Sequence, residues 1–278
     1  MKRIPILLVL LLTVSLAFGQ KKEKLKGTRM VTITQKEIGE FENVEAEDNL
    51  EIFLIKGDKC ALEIEADDNV HEAIDATITN GTLRLSTTKD ISAKKLSVKV
   101  TYTDDFKMMI AKDDTNVTAL TDVSLDNFTF KTSGSAKVFA NVRSKVFTLM
   151  ANDKSKTELN VTAENTTVEL NKNAQLKALI SSPKLKFDMY LKSTATVEGD
   201  VNDLKLRLDS NTNFTGKNLT AKTSQIIIEG SANASVNINT SVVIEASGKS
   251  ELELYGDQKI EIKKFTENAM IRKRVTKN

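Results

Sequence analysis

Residues 133–142 read SGSAKVFANV: a Ser/Gly corner, one small residue, then strict alternation of apolar and polar side chains. The same arrangement returns as KDDTNVTAL (112–120), NDKSKTELNV (152–161), NKNAQLKALI (171–180) and LKSTATVEGDV (191–201). It continues as DSNTNFTGKNL (209–219), EGSANASVNI (229–238) and ASGKSELELYG (246–256). Aligned on the small residues Thr115, Ala136, Ser155, Ala174, Thr194, Thr212, Ala232 and Ser250, the separations are 21, 19, 19, 20, 18, 20 and 18. A period near 19 without a helical pattern is the mark of a stacked repeat.

The columns beside each anchor behave as a strand does. Two positions on stand residues such as Val117, Val138, Leu176 and Leu252, and four positions on stand Ala140, Leu159 and Val236. The odd column, one position after the anchor, carries residues such as Asn116, Lys137, Lys156, Gln175, Ala195 and Glu251. Period-two alternation turns the even columns inward and the odd one to water. Glu198 breaks the rule, and a one-residue bulge at Ala195 or Thr196 is expected there, turning Val197 inward. Upstream of each anchor a second strand alternates in the same way, as in Phe128-Thr-Phe130, Phe147-Thr-Leu149 and Leu185-Lys-Phe187.

These features predict an all-β chain folded as a single-stranded right-handed β-helix, a solenoid with rungs of about 19 residues. Leucine-rich repeats share the length but not the Leu/Asn consensus, and propeller blades need about twice the period. Coils stacked at about 4.8 Å let each strand hydrogen-bond to the next. Ser133-Gly134 then marks a corner where glycine accepts positive φ. Beyond Pro5, the only proline is Pro183, expected in a loop between strands. Ahead of the repeats, residues 31–105 form a less regular β region with turn signals at Lys56-Gly57-Asp58 and Asn80-Gly81. It is expected to begin or cap the coil, without a separating linker.

The N-terminus, MKRIPILLVLLLTVSLAFGQ, has the parts of a secretory signal peptide over 1–19. Lys2 and Arg3 precede an apolar run that ends at Ala17-Phe18-Gly19, so cleavage is expected before Gln20. The run is short for a span of about 30 Å of hydrocarbon, so no membrane span is expected after removal. Residues 20–37 open with QKKEKLKGTRM and are expected as a basic, flexible segment, with the β-helix over 38–258 and a basic strand, cap and tail over 259–278. Within 257–278 there are seven bases and three acids. Such ends could meet anionic surfaces, but solvated tails are the simpler reading. Aromatic residues are scarce and not interleaved with bases, which argues against nucleic acid. Cys60, the single cysteine, forms no intramolecular disulfide and is expected to be a buried thiol.

No catalytic, cofactor-binding or metal site emerges. His71, the only histidine, has Asp67, Asp68 and Glu72 beside it, yet one histidine with unordered carboxylates is a weak metal signal. Asp113-Asp114-Thr115-Asn116 lacks the glycine and terminal Glu of a calcium loop. No motif marks a nucleophilic serine, and no phosphate-binding glycine loop occurs.

The chain resembles the head GIN domain family of auto-transporter adhesins. The matching stretches, in order, are Phe41-Glu-Asn-Val44, Leu50 to Asp58, Leu62 to Asn69, Asn80-Gly-Thr-Leu83, Ser133-Gly-Ser-Ala136, Leu252 to Gly256 and Lys259 to Lys264. The resemblance implies a β-helix, supplies no catalytic residues, and suggests a secreted protein of a Bacteroidetes-type cell envelope. Only 22 residues follow Gly256, too few for a membrane barrel, so surface display is expected to need a partner. The expected function is an exported, non-catalytic adhesin or binding module, periplasmic or at the cell surface, without cofactors. Its partners would be a glycan or a surface protein, with self-association through a flat lateral face. The alternative is a polysaccharide lyase or hydrolase on the same scaffold, which needs converging carboxylates that the outward columns do not show.

Overall fold

An alternating strand that buries one row of side chains still needs partners for its own N–H and C=O groups. Here those partners lie in the same stretch one repeat earlier and one repeat later. The computed structural model describes residues 22–275, so the signal peptide expected over 1–19 lies outside the described residues. In chain order the first strands are β1 (Lys24–Lys26), β2 (Val31–Glu37), β3 (Asn43–Ala46), β4 (Glu51–Lys56) and β5 (Ala61–Asp67). Then come β6 (Ile74–Thr79), β7 (Thr82–Thr87), β8 (Asp90–Ser92), β9 (Leu96–Tyr102), β10 (Met108–Ala111), β11 (Asn116–Ala119), β12 (Val123–Ser124) and β13 (Asn127–Thr132). The long strands are β14 (Lys137–Ala151), β15 (Lys156–Leu170), β16 (Gln175–Met189), β17 (Thr194–Leu208), β18 (Asn213–Ile228) and β19 (Asn233–Ala246). The chain closes with β20 (Glu251–Tyr255), β21 (Lys259–Phe265) and β22 (Met270–Lys273).

The repeats wind into a β-solenoid of about nine turns. Neighbouring coils pair in parallel with an offset of 19 residues: Lys137 lies beside Lys156, Lys156 beside Gln175, and Gln175 beside Thr194. Within one coil, Ala174, Leu176, Ala178, Ile180 and Ser182 point inward along one strand run, and Leu185, Phe187 and Met189 along the next. Alternation breaks twice per coil. One break is the tight turn at 190–192, and the other is a pair of consecutive exposed residues at 183–184 that bends the strand. Pro183 therefore sits inside β16 rather than in a loop, at the one position where pairing to the next coil skips from Ser182 to Lys184. A proline costs no ladder bond there.

The tight turns stack into a column with its own geometry. Asp113, Gly134, Asp153, Lys172, Leu191, Ser210, Gly230 and Gly248 all have φ between 52° and 76°. Most of these are not glycine, although the left-handed region costs other residues about 1 kcal/mol each. The column is held because the ladder continues around the corner. Lys154 N–H donates to Gly134 C=O, Asn173 to Asp153 and Lys192 to Lys172, each at 2.8 Å. At Gly134 a Cβ would lie 2.7 Å from the Asp113 backbone, so this position needs glycine for space as well as for φ. Two residues further on comes the small buried column that aligned the repeats.

One member of that column differs from the sequence reading. Ser193 is buried and Thr194 is exposed, so the inward residues are Ala195 and Val197, and Glu198 faces water. With Ser193 as anchor, the spacing to Ala174 and to Thr212 is 19 on both sides, and no bulge occurs at Ala195 or Thr196. The extra residue lies one coil later, where Thr196 pairs with Thr215 but Glu198 pairs with Asn218.

The N-terminal region is wound out of order. β3 and β4 form a coil that pairs with β10 and β11 on one side. On its other side lie β7 and β9, which come later in sequence. Between β4 and β10 the chain leaves the spiral, adds β5 antiparallel to β9 and β6 antiparallel to β7, then returns. The early strands thus both begin and cap the coil. An aromatic seam fills the point of return: the Phe106 ring lies 4.8 Å from Tyr102, 5.2 Å from Phe128 and 6.2 Å from Phe41. Residues 20–37, expected as a flexible segment, contain two strands instead. β1 pairs with β8, and β2 runs antiparallel along β5. At the other end, β21 and β22 continue the spiral as a further coil rather than folding over it.

Core depth sets the expected effect of substitutions. Phe147 and Leu149 are fully buried between coils that cannot collapse inward. Phe147→Ala or Leu149→Ala is expected to cost about 2–5 kcal/mol. Lys137→Ala, on the exposed column, should change stability by less than about 0.5 kcal/mol. Chemical denaturation of the three variants checks the ranking, and the reverse order would mean that the inward column is misassigned.

Candidate functional site

The acidic cluster around the single histidine is the first place to look for chemistry, and its groups are occupied by the fold. Asp67 is fully buried at the end of β5. Its carboxylate accepts the N–H groups of Arg29 at 2.9 Å and of Lys94 and Lys95 at 3.2 Å. Burial alone raises the Asp67 pKa, but the three backbone donors outweigh it and hold the carboxyl below its ordinary value. Gly27 lies against the same carboxylate, leaving no room for a Cβ. Asp68 accepts from the Thr28 hydroxyl and from Asn69 N–H, while Asn69 Nδ2 donates to Lys26 C=O at 3.0 Å. His71 Nε2 sits 2.9 Å from the Thr32 hydroxyl.

The Asp67-Asp68-Asn69 corner is therefore a clamp that fastens β1, β2 and the loop between them to the cap. Among the described residues no cluster of His, Cys, Asp and Glu is placed to hold a metal ion. Asp113 and Asp114 form an ordinary coil corner, in which Asp114 N–H donates to Asp48 C=O at 2.9 Å. Cys60 is a buried free thiol just before β5. The clamp was missed in the sequence because its partners are backbone groups far along the chain, which leave no side-chain motif.

The outer ladders are not uniformly flat. Beside the bend at 183–184 a groove of about 580 Å3 runs across successive coils. Its floor includes Leu185 and Leu204, and its walls carry Lys184, Lys186, Lys205, Asp203, Thr223 and Gln225. Lysines at equivalent steps of adjacent coils, Lys186 and Lys205, are direct ladder partners. Asp203 is the one carboxylate in the lining, and it accepts the Thr223 hydroxyl at 2.5 Å. Lys186 is bonded to Asp188 at 2.9 Å, and that hydrogen bond holds its ammonium above the ordinary value. A second depression of about 290 Å3 continues past Asp188, Tyr190 and Arg207. The groove was illegible in the repeat because it arises from the bend in the coil, while the columns were read as flat rows.

The opposite strand run carries a different surface. Phe139 and Leu179 are half exposed around a shallow depression with Glu158, Asn160, Lys177 and Glu198. Asn160 donates to Asn141 of the previous coil at 2.8 Å, a side-chain ladder parallel to the backbone one. Among the described residues no helix is long and apolar enough to cross a membrane.

Fold and surface together define a β-solenoid with open depressions along its outer ladders. The family comparison agrees: residues 40–180 and 160–257 match the model described as "Putative auto-transporter adhesin, head GIN domain", and the chain belongs to that family. No curated protein matches. Solved structures share the fold, three of them as follows. A "putative adhesin" from Parabacteroides merdae is 14% identical at a TM-score of 0.63, over 91% of this chain and 98% of that one. A "putative adhesin" from Parabacteroides distasonis is 15% identical at 0.68, over 90% and 100%. A "putative lipid binding protein" from Parabacteroides distasonis is 11% identical at 0.60, over 91% and 98%.

The Asp67 clamp has a pH signature. A carboxyl with a lowered folded pKa contributes stability that is present above its unfolded value, near 3.8, and is lost as pH falls through the folded value. Protection factors for backbone amides in 24–37 should hold from neutral pH down to about 4 and then fall. Asp67→Asn should reduce that protection at neutral pH and flatten its dependence on acid. Protection unchanged in the variant at both pH values would mean that another contact fastens β2.

Proposed function

We propose that the protein is an extracytoplasmic, non-catalytic binding module that holds an acidic glycan along the groove of its solenoid. The observation that carries this reading is the lining itself. Lys184 and Lys186 stand on one coil and Lys205 on the next, with Thr223 and Gln225 as hydrogen-bonding neighbours. Asp203 is the one carboxylate of the lining, and Lys186 is also paired with Asp188 beside it. Such a strip suits repeated carboxylates or sulfates on an extended chain, with the ammoniums of Lys184 and Lys205 acting as point charges and that of Lys186 shared with Asp188. Membership of an adhesin family supports a surface partner, and the signal read over 1–19 supports export. The polar walls favour sugar over acyl chains. The lyase or hydrolase alternative calls for converging acid and base groups, whereas Asp203 stands alone in the groove and is engaged by Thr223.

A glycan array followed by calorimetry on the mature chain tests this reading. Binding of uronate-bearing or sulfated glycans is expected, weakening about tenfold or more in Lys186→Glu and Lys205→Glu and also with added salt. Retention of affinity in both variants would place binding elsewhere. Turnover of a bound polysaccharide, abolished by Asp203→Asn, would favour the enzyme instead.

A further inference from the structure

The two ends of the solenoid are finished differently. At the N-terminal end, Leu62, Ile64, Val70 and Ile74 of the cap are buried, so the last coil's interior is sealed. At the C-terminal end nothing among the described residues covers the core columns. Ile260 and Ile262 lie in register with Val242 and Ile244, and Phe265 lies in register with Ala246. Their counterparts in the previous coil are at most 1% exposed, whereas these three are 45%, 50% and 51% exposed. β21 pairs only with β19, and β22 only with β20, so both present a free strand edge beside half-open core.

Charge distinguishes the ends as well. The last coil, 259–274, carries six basic residues and two acidic ones. The outer elements of the N-terminal end, 22–40 and 61–79, carry nine acidic residues against five basic ones, the bases falling mostly in 22–29 and the edge strands β2 and β6 keeping only Lys36. That end also has free strand edges, since β2 pairs only with β5 and β6 only with β7. Ile33 and Ile78 are exposed on those edge strands, at 61% and 37%. An apolar, basic, open-edged end and an acidic, open-edged end with exposed isoleucines are complementary. Two C-terminal ends facing each other would instead bring their surplus positive charges together.

We propose that the basic C-terminal end of one molecule docks on the acidic N-terminal end of a second copy, so that the solenoid associates head to tail. The contact is heterologous: it uses two different surfaces and leaves one of each free, so it propagates into a chain of molecules unless a rotation closes it. It also covers the strand edges that isolated solenoids must protect. This places self-association at the ends, not on the lateral face expected from the sequence, and leaves the groove free.

Sedimentation velocity on the mature chain decides the matter. At about 20 mM salt the weight-average mass should grow with concentration up to about 200 µM, and about 500 mM salt should reverse the growth. Two variants separate this contact from others. Ile262→Lys spoils only the C-terminal end, and Glu72→Lys with Asp75→Lys spoils only the N-terminal end. Each alone should remain monomeric, while an equimolar mixture should form one-to-one dimers, since one intact end of each kind remains. A wild-type chain that stays monomeric throughout overturns the proposal without recourse to variants. It is equally overturned if the N-terminal variant associates as well as the wild type, the sign of a symmetric contact between C-terminal ends.

Discussion

Each coil inside the stack has its main-chain groups satisfied by a coil on either side, at an offset of 19 residues between the central coils. That dependence constrains everything else. A strand inside the stack cannot shift by one position without exchanging its buried and exposed side chains. It cannot lose the corner geometry either, because the N–H groups after the left-handed residues donate to the corner carbonyls of the preceding coil. The corner column therefore tolerates Lys172 and Leu191 at positive φ, where an isolated turn would favour Gly or Asn. Neighbouring coils over-determine the conformation, and side-chain identity becomes secondary.

The same dependence makes the ends the exceptional parts of the structure. A coil at either end has one neighbour, so half of its ladder is unsatisfied unless another element is brought in. At the N-terminus the chain solves this with an excursion: it winds one coil, leaves, lays antiparallel strands over the start, and resumes on the far side. The Asp67 carboxylate and the aromatic seam around Phe106 hold that excursion in place. At the C-terminal end of the described residues, core-facing Ile260, Ile262 and Phe265 are half open. The groove on the lateral face and the open strand edges at the ends are thus separate consequences of one architecture.

The repeat, the alternation and most of the inward columns were legible in the sequence, because they arise from a local period that each segment states for itself. Phe147, Leu149, Leu185 and Phe187 were assigned inward from alternation alone and are buried. The fifth anchor failed because Ser193 and Thr194 are adjacent small residues and composition cannot choose between them. Only pairing with Gln175 fixes Thr194 on the outer column. The out-of-order winding of 57–105 was illegible because it depends on which strands meet across distant stretches of chain. Likewise, the Asp67 clamp uses backbone donors at 29, 94 and 95, and the groove arises from the bend in the coil. Neither has a periodic signal.

The central claim, that a 19-residue offset in the coil-to-coil ladder determines the fold, is tested most directly by excising one turn. Deleting residues 156–174 removes 19 residues and joins Ser155 to Gln175 with every inward column still aligned. Deleting 156–173 removes one residue fewer and displaces the columns on either side of the junction. Circular dichroism and thermal melting of both shortened chains are the measurement. The 19-residue deletion should give a cooperative melt with native-like strand content, and the 18-residue deletion should melt much lower or fail to fold. Equal stability of the two would contradict the account, because the register between coils would then not be what holds the chain in its fold.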